Sequence, residues 1–120
     1  MVVGSFLVKN LLIDWRLGEQ WFWDCLVDAD YASNVASWQW VAGTGADAAP
    51  YFRIFNPILQ GEKFDPESQY TLKYVPEIKH LPNNYIQKPW ESNVESDYPD
   101  PIIDYRDSRN LSLEKYQSIK

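Results

Sequence analysis

The sequence predicts an all-α fold, and three observations carry that prediction. Near the start, apolar residues recur with helical rather than alternating spacing, at Val2, Val3, Phe6, Leu7, Leu11 and Leu12. A later apolar stretch runs up to Gly43, the residue type that closes helices by turning left-handed. Nowhere do two alternating segments joined by a turn read as a strand pair.

Taken in order, the first helix is expected over residues 2 to 13, with Asp14 to Gly18 breaking it. A second helix is expected from about Glu19 to Val27, its acidic Glu19 near the positive end of the helix dipole. Asp28 to Asp30 then connects to a third helix, from about Tyr31 to Ala42, with Ser33 and Asn34 in its first turn. Residues 43 to 50 read as a loop of small residues without the Lys-Ser/Thr ending of a phosphate-binding P-loop. Tyr51 to Phe55 and Pro57 to Phe64 are shorter segments, divided at Asn56 because the residue before a proline avoids helical geometry. Asp65-Pro66 is expected to open a short helix ending near Tyr74, with Pro66 in the tolerated first-turn position. Pro76, Pro82, Pro89, Pro99 and Pro101 make residues 76 to 101 an extended wrapping segment. A last amphipathic helix runs from about Tyr105 to Ile119.

At 120 residues the chain is one domain or less. Six Trp, eight Tyr and five Phe are many for a small self-sufficient domain, and suit a piece that packs against something large. A net charge of -6 argues against a general nucleic-acid binder, while leaving room for a local basic patch around Arg53 and Lys63. The single Cys25 excludes an internal disulfide and points to a reducing, cytoplasmic compartment; its apolar neighbours predict a buried structural thiol. With one Cys and one His, His80, neither a zinc set nor a Ser-His-Asp or Cys-His arrangement can be assembled, so no metal is expected. The opening apolar run is interrupted by Lys9 and Asn10 and is too short to span a bilayer, so no membrane partner is expected.

The chemistry concentrates around Trp38-Gln39-Trp40, downstream of Asp28-Ala29-Asp30 and Asn34. Asp30, Asn34 and Trp38 are spaced four residues apart and so share one helix face. Trp40 lies about 200° round the helix from Trp38, so the two rings have different tasks. As plain structure, Asp30 is an N-terminal cap and Trp38 is core; a buried Asn34 in mid-helix still needs a partner. As a site, the carboxylates of Asp28 and Asp30 accept hydrogen bonds from sugar hydroxyls or from the N–H edge of a flavin-like ring. Close like charges could instead raise one pKa for general-acid work. No histidine stands near in sequence, which favours binding over hydrolysis.

A longer set of words follows in order. Asp14-Trp15-Arg16, Leu26-Val27-Asp28-Ala29-Asp30, Ser33-Asn34 and Trp38-Gln39-Trp40 come first, then the run from Gly45-Ala46-Asp47 through Tyr51-Phe52-Arg53 to Asn56-Pro57. Gln60-Gly61-Glu62-Lys63-Phe64-Asp65-Pro66, Lys88-Pro89-Trp90 and Tyr98-Pro99-Asp100-Pro101-Ile102 complete it. Over essentially its whole length the chain resembles the C-terminal end of the FAD-binding helical domain of the DNA photolyase/cryptochrome family. It looks most like the class I cyclobutane-pyrimidine-dimer photolyases.

That resemblance implies FAD contacts for Asp28, Ala29 and Asp30, and places Asn34 at the flavin N5 edge. It implies Trp38 as the electron donor nearest the flavin and Trp15 as the middle member of the photoreduction chain. Trp40 is implied to stack on a flipped-out dimer, and Arg53 and Lys63 to touch DNA phosphate. Met1 matches a methionine beside the lesion, and is equally read as an initiator. The implied activity is light-driven repair of pyrimidine dimers in damaged DNA. Asparagine at position 34 and the alanines among residues 46 to 49 favour repair enzyme over plant-type cryptochrome. A cryptochrome-like photoreceptor fragment and a non-catalytic helical packing module are the alternatives.

Measured against the family, the sequence begins inside the helical domain. The N-terminal part of a photolyase is not in it: the α/β domain with its antenna-chromophore site, the loop holding the FAD phosphates and most DNA-binding helices. A basic residue that pairs with Asp28 in the family would precede position 1. The chain is therefore expected to bind FAD weakly or not at all by itself, as a fragment or as a partner of that missing part.

Overall fold

The computed structural model describes residues 1–45 and 53–119. Every regular element among them is helical. The segment expected from Tyr51, with its neighbours back to Ala46, lies outside the described residues apart from Arg53 to Phe55. The chain divides into two compact units, Met1–Phe55 with Ile103–Lys120 and Asn56–Ile102.

In the first unit, helix α1, Val2–Ser5, continues directly into a π-helical turn, Phe6–Asn10. The helix expected to reach residue 13 stops short of it. Ile13 N–H reaches back to the Leu7 carbonyl at 3.0 Å while Leu12 takes φ 54°, the reversal that usually employs a glycine. A leucine in that conformation costs about 1–2 kcal/mol, which the six-residue closure must offset.

Helix α2 spans Trp15–Cys25, so Asp14 to Gly18 is not a break but its cap and first turn. Asp14 Oδ1 accepts the Arg16 N–H at 2.9 Å. Gly18 is tolerated inside the helix because it is buried against Trp38, where a side chain would collide with the indole. Leu17 and Trp21 are exposed, and so is Cys25, the last residue of the helix: it shares the face of Gly18 at a spacing of seven but is not the buried thiol its neighbours suggested.

Helix α3, Tyr31–Ala42, has the bounds the sequence predicted. Asp30 caps it by accepting the Ser33 N–H at 2.8 Å, and Gly43 ends it at φ 77°. It packs on α2 through Trp38 and Phe22, whose rings meet edge-on with centroids 4.9 Å apart.

Three polar side chains of the opening segment bind distant parts of this unit. Ser5 Oγ accepts the Phe55 N–H at 3.2 Å, and buried Lys9 donates to the Arg53 carbonyl. Burial holds the Lys9 ammonium below its ordinary pKa of 10.5. Asn10 donates to Ser108 Oγ at 3.0 Å, and Ser108 in turn donates to the Tyr105 carbonyl at 2.9 Å. These last two lie in the C-terminal helix, Tyr105–Ser118, capped by Asp104.

In the second unit, helix α4, Pro57–Phe64, is capped by Asn56, whose Oδ1 accepts the Ile58 and Leu59 N–H groups. The helix expected to open at Asp65-Pro66 starts later, as α5, Gln69–Tyr74. Buried Ser68 sits left-handed at φ 58° before it, and Asp65 serves as an external cap by accepting from Tyr70 and Thr71 N–H. Short 3₁₀ turns at Pro76–Ile78, Asn83–Tyr85 and Pro89–Glu91 articulate the proline-rich segment. Ile78, Leu81 and Ile86 form its small core, with Leu72 and Val75 packed against them. Among the described residues no helix is long and apolar enough to cross a membrane. The C-terminal helix of the first unit, last in chain order, is α6.

Candidate functional site

A cavity of about 270 Å³ opens in the first unit between α1, α2 and α3. Its floor is one face of α3, where Asn34, Ser37, Trp38 and Val41 follow at helical spacing, with Asp30 and Ser33 at the N-terminal end. Phe22 and Leu26 come from the end of α2 and the residue after it, Met1 and Gly4 from the start of the chain, and Asp28 from the connector. The wall is apolar at Phe22, Trp38 and Val41, and acidic at the mouth.

The two acids differ. Asp30 is fixed by its cap bond: the Ser33 N–H, followed by the Ser33 side chain, holds its carboxyl below the ordinary 3.8. Asp28 is exposed at the rim and makes no ion pair among the described residues. Both stand where a ligand's N–H or hydroxyl groups would meet an acceptor.

Asn34 is buried, and its partner is found. Nδ2 donates to the Glu19 main-chain carbonyl at 2.9 Å and lies 3.5 Å from Glu19 Oε1. Its Oδ1 takes no hydrogen bond from the described residues, so one end of the amide braces α2 while the other remains an acceptor. Trp38, only 3% exposed, is held between α2 and the cavity.

The structure thus brings Met1, Asp28, Asp30, Asn34 and Trp38 to one cavity. The other residues singled out in the sequence are not among those that line it. Trp40 is half-buried and does not line the cavity, as the helical phase required. Ala29 is half-buried between the two acids without lining it either. Trp15 opens α2 with the Arg16 guanidinium 5.0 Å from its ring centre. Arg53 is exposed, with its carbonyl bound by Lys9. Lys63, exposed in the last turn of α4 with its ammonium 5.1 Å from the Phe64 ring centre, belongs to the second unit.

Phe22, Leu26, Ser37, Val41 and Gly4 are wall residues that sequence reasoning did not name. Ser37 and Val41 continue the spacing set by Asn34 and were legible on that ground. Those from α1 and α2 depend on the register between helices, which no local pattern encodes. No cluster of metal ligands occurs among the described residues.

An apolar slot with two carboxylates at the rim and an amide acceptor inside suits a flat heteroaromatic ring with an N–H edge and an attached sugar. The group the resemblance implies, FAD, has that chemistry, so the donor set fits it.

Comparison with known proteins agrees. A family model described as the FAD binding domain of DNA photolyase matches residues 1–118. A deoxyribodipyrimidine photo-lyase from Agrobacterium fabrum is 54% identical over 130 residues, covering 100% of this chain and 27% of the relative. The Escherichia coli protein of the same name is 47% identical over 124 residues, again 100% of this chain and 26% of the relative. The chain therefore spans about a quarter of the length of these curated relatives. Among solved structures, a bacterial class III photolyase from Agrobacterium tumefaciens superposes with a TM-score of 0.89 at 55% identity, over 98% of this chain and 27% of that one. A Synechocystis cryptochrome gives 0.87 at 38% identity, over 94% and 25%.

Proposed function

The chain belongs to the FAD-binding domain family of DNA photolyase, and from that premise we propose that it builds one wall of the flavin site of a light-driven DNA repair enzyme. Within that reading it contributes the C-terminal portion of the helical domain, and works with the remainder of a photolyase in a reducing, cytoplasmic compartment. The observation that carries the reading is the single α3 face on which Asp30, Asn34 and Trp38 line one cavity.

Reduced FAD, when bound and excited by blue light, supplies the electron whose passage to a pyrimidine dimer splits the ring and which then returns. The residues of this chain hold and tune it. Asp28 and Asp30 accept hydrogen bonds from the ring N–H and the ribose. Asn34, braced on Glu19, turns its amide to the N5 edge. Trp38 passes electrons towards the cavity, with Trp15 as the relay behind it. A buried indole such as Trp38 suits this task because a dry, rigid site lowers the reorganisation that electron transfer requires. Trp40, on a different side of α3, stacks on the extruded lesion, and Met1 meets the lesion from the cavity that it lines. Arg53 and Lys63 meet the phosphate backbone.

The likeness reaches structures described as a class III photolyase and as a cryptochrome, so repair does not follow from the fold. The cryptochrome likeness supports a second reading, a blue-light photoreceptor. Mixing this chain with the N-terminal part of the Agrobacterium relative separates the two. Blue-light splitting of a dimer-containing oligonucleotide by the FAD-loaded product supports repair. Light-driven flavin reduction without splitting favours the photoreceptor, and failure to retain FAD at all would overturn both.

A further inference from the structure

We propose that Gly18 is a positioning residue for Trp38, the bare backbone seat that fixes the indole and, through it, the shape of the cavity. A glycine inside a helix weakens it relative to alanine, so α2 needs a reason to carry one. Gly18 is buried on the side of α2 that faces α3. A Cβ there would lie 2.4 Å from Cη2, 2.5 Å from Cζ3 and 3.0 Å from Cζ2 of Trp38. Three atoms of one ring edge would overlap a single methyl group, so the ring rests directly on the α2 backbone.

The indole can avoid such a collision only by leaving its seat on α2. One turn further along α2, Phe22 meets it edge-on at 83°. On the α1 side, a Cβ added to Gly4 would stand 3.7 Å from Trp38 Cζ3, ordinary contact distance, so methyl-sized room separates the ring from that backbone and the close seat is on α2 alone. Trp38 and Phe22 both line the cavity. Displacing the ring therefore changes the cavity wall, because the ring is that wall. Phe22 and Gly18 act together: one packs against the ring, the other lets the ring edge settle against α2.

The packing claim stands on this geometry alone, whereas its consequence for a bound flavin rests on the function proposed above. Four proteins test both: the parent chain, Gly18→Ala, Trp38→Phe, and the double variant. Gly18→Ala is expected to lower the thermal midpoint by about 4 °C or more and to change the near-UV circular dichroism of tryptophan. In the Trp38→Phe background the smaller ring leaves room, so the same change is expected to be neutral or to raise the midpoint, alanine being the better helix former. A purely structural role for Gly18 would not reverse sign with the ring. Equal losses in both backgrounds overturn the proposal. If Gly18→Ala alone unfolds the chain, recovery of folding in the double variant is the same coupling in stronger form, and an unfolded double variant overturns it.

Flavin fluorescence titrations of the same four proteins, each with the N-terminal part of a relative, read the consequence. About ten-fold weaker binding is expected for Gly18→Ala, returning in the double variant to the level of Trp38→Phe. Unchanged binding in Gly18→Ala would overturn the link between ring and cavity. Flavin binding by none of the four overturns the flavin reading, while the stability coupling still decides the packing claim.

Discussion

Asn34 Nδ2 donates to the main-chain carbonyl of Glu19 at 2.9 Å, tying the first turn of α3 to the middle of α2 beside the cavity. A side-chain amide that would be costly to bury unpaired becomes the brace between two helices. Replacing it with leucine removes one net hydrogen bond, expected to cost about 0.5–1.5 kcal/mol of unfolding free energy. Replacing it with aspartate is more informative, because an acceptor then faces the Glu19 carbonyl. Burial and that carbonyl favour the protonated acid, so the variant's folded pKa rises above the unfolded value of about 3.9. Its stability is fully present below that value and lost as pH rises through the folded one. Urea unfolding should show the gap between Asn34→Asp and the parent narrow near pH 4 and widen towards neutrality; a constant gap contradicts the brace.

The parent chain has the opposite acid response. The Ser33 N–H holds the Asp30 carboxyl below its ordinary 3.8, and the Thr71 N–H does the same for Asp65. Groups with lowered folded pKa values contribute stability that is present above 3.8 and lost as pH falls through the lowered values. The thermal midpoint should therefore be flat at mildly acidic pH and drop below 3.8. Asp65→Asn, which keeps an acceptor but removes the charge, should flatten part of that drop. An unchanged acid slope would show that the Thr71 and Tyr70 contacts do not matter in solution.

The bounds of α3 were legible because Asp30 and Gly43 are local signals, each satisfying backbone groups at its own end of the helix. The shared face of Asp30, Asn34 and Trp38 was legible for the same kind of reason, since helical phase needs no partner. Gly18 was misread as a break because its meaning lies in Trp38, twenty residues away. Cys25 was misread because apolar neighbours in sequence do not ensure cover: it ends α2, where even Trp23 and Leu26 on either side are exposed by 46% and 42%. Ser68 and Leu12, both left-handed without being glycine, gave no composition signal at all. Local chemistry was readable; contacts between helices were not.

The same logic yields a prediction in the second unit. A Cβ on Gly61 would lie 2.2 Å from Gln87 Oε1 and 2.4 Å from its Cδ. Gln87 donates to Thr71 Oγ1 at 2.8 Å, and Thr71 donates to Asp65 Oδ2 at 2.7 Å. Gly61→Ala thus displaces the first member of a relay that ends on the cap of α5. Because the amide met is the far end of a flexible side chain, the expected loss is that of the Gln87–Thr71 hydrogen bond, about 0.5–1.5 kcal/mol. Amide exchange should locate the loss around Gln69–Tyr74. Protection lost only within Pro57–Phe64 would show that Gln87 moves without consequence.

Trp38 and Trp40 provide the sharpest functional contrast, being two residues apart with only Trp38 on the cavity. Indole in van der Waals contact with an excited flavin quenches its emission by electron transfer, and the effect fades within a few ångströms. Trp38→Phe should therefore brighten bound flavin several-fold and slow its photoreduction, since phenylalanine is a much poorer electron donor. Trp40→Phe should leave both nearly unchanged while weakening the hold on a dimer-containing oligonucleotide, base–aromatic stacking being worth about 1–3 kcal/mol. Time-resolved flavin fluorescence and oligonucleotide binding, measured on both variants joined to the N-terminal part of a relative, check the pair together. Equal brightening by the two substitutions would mean that the cavity on this face of α3 is not where the flavin ring lies.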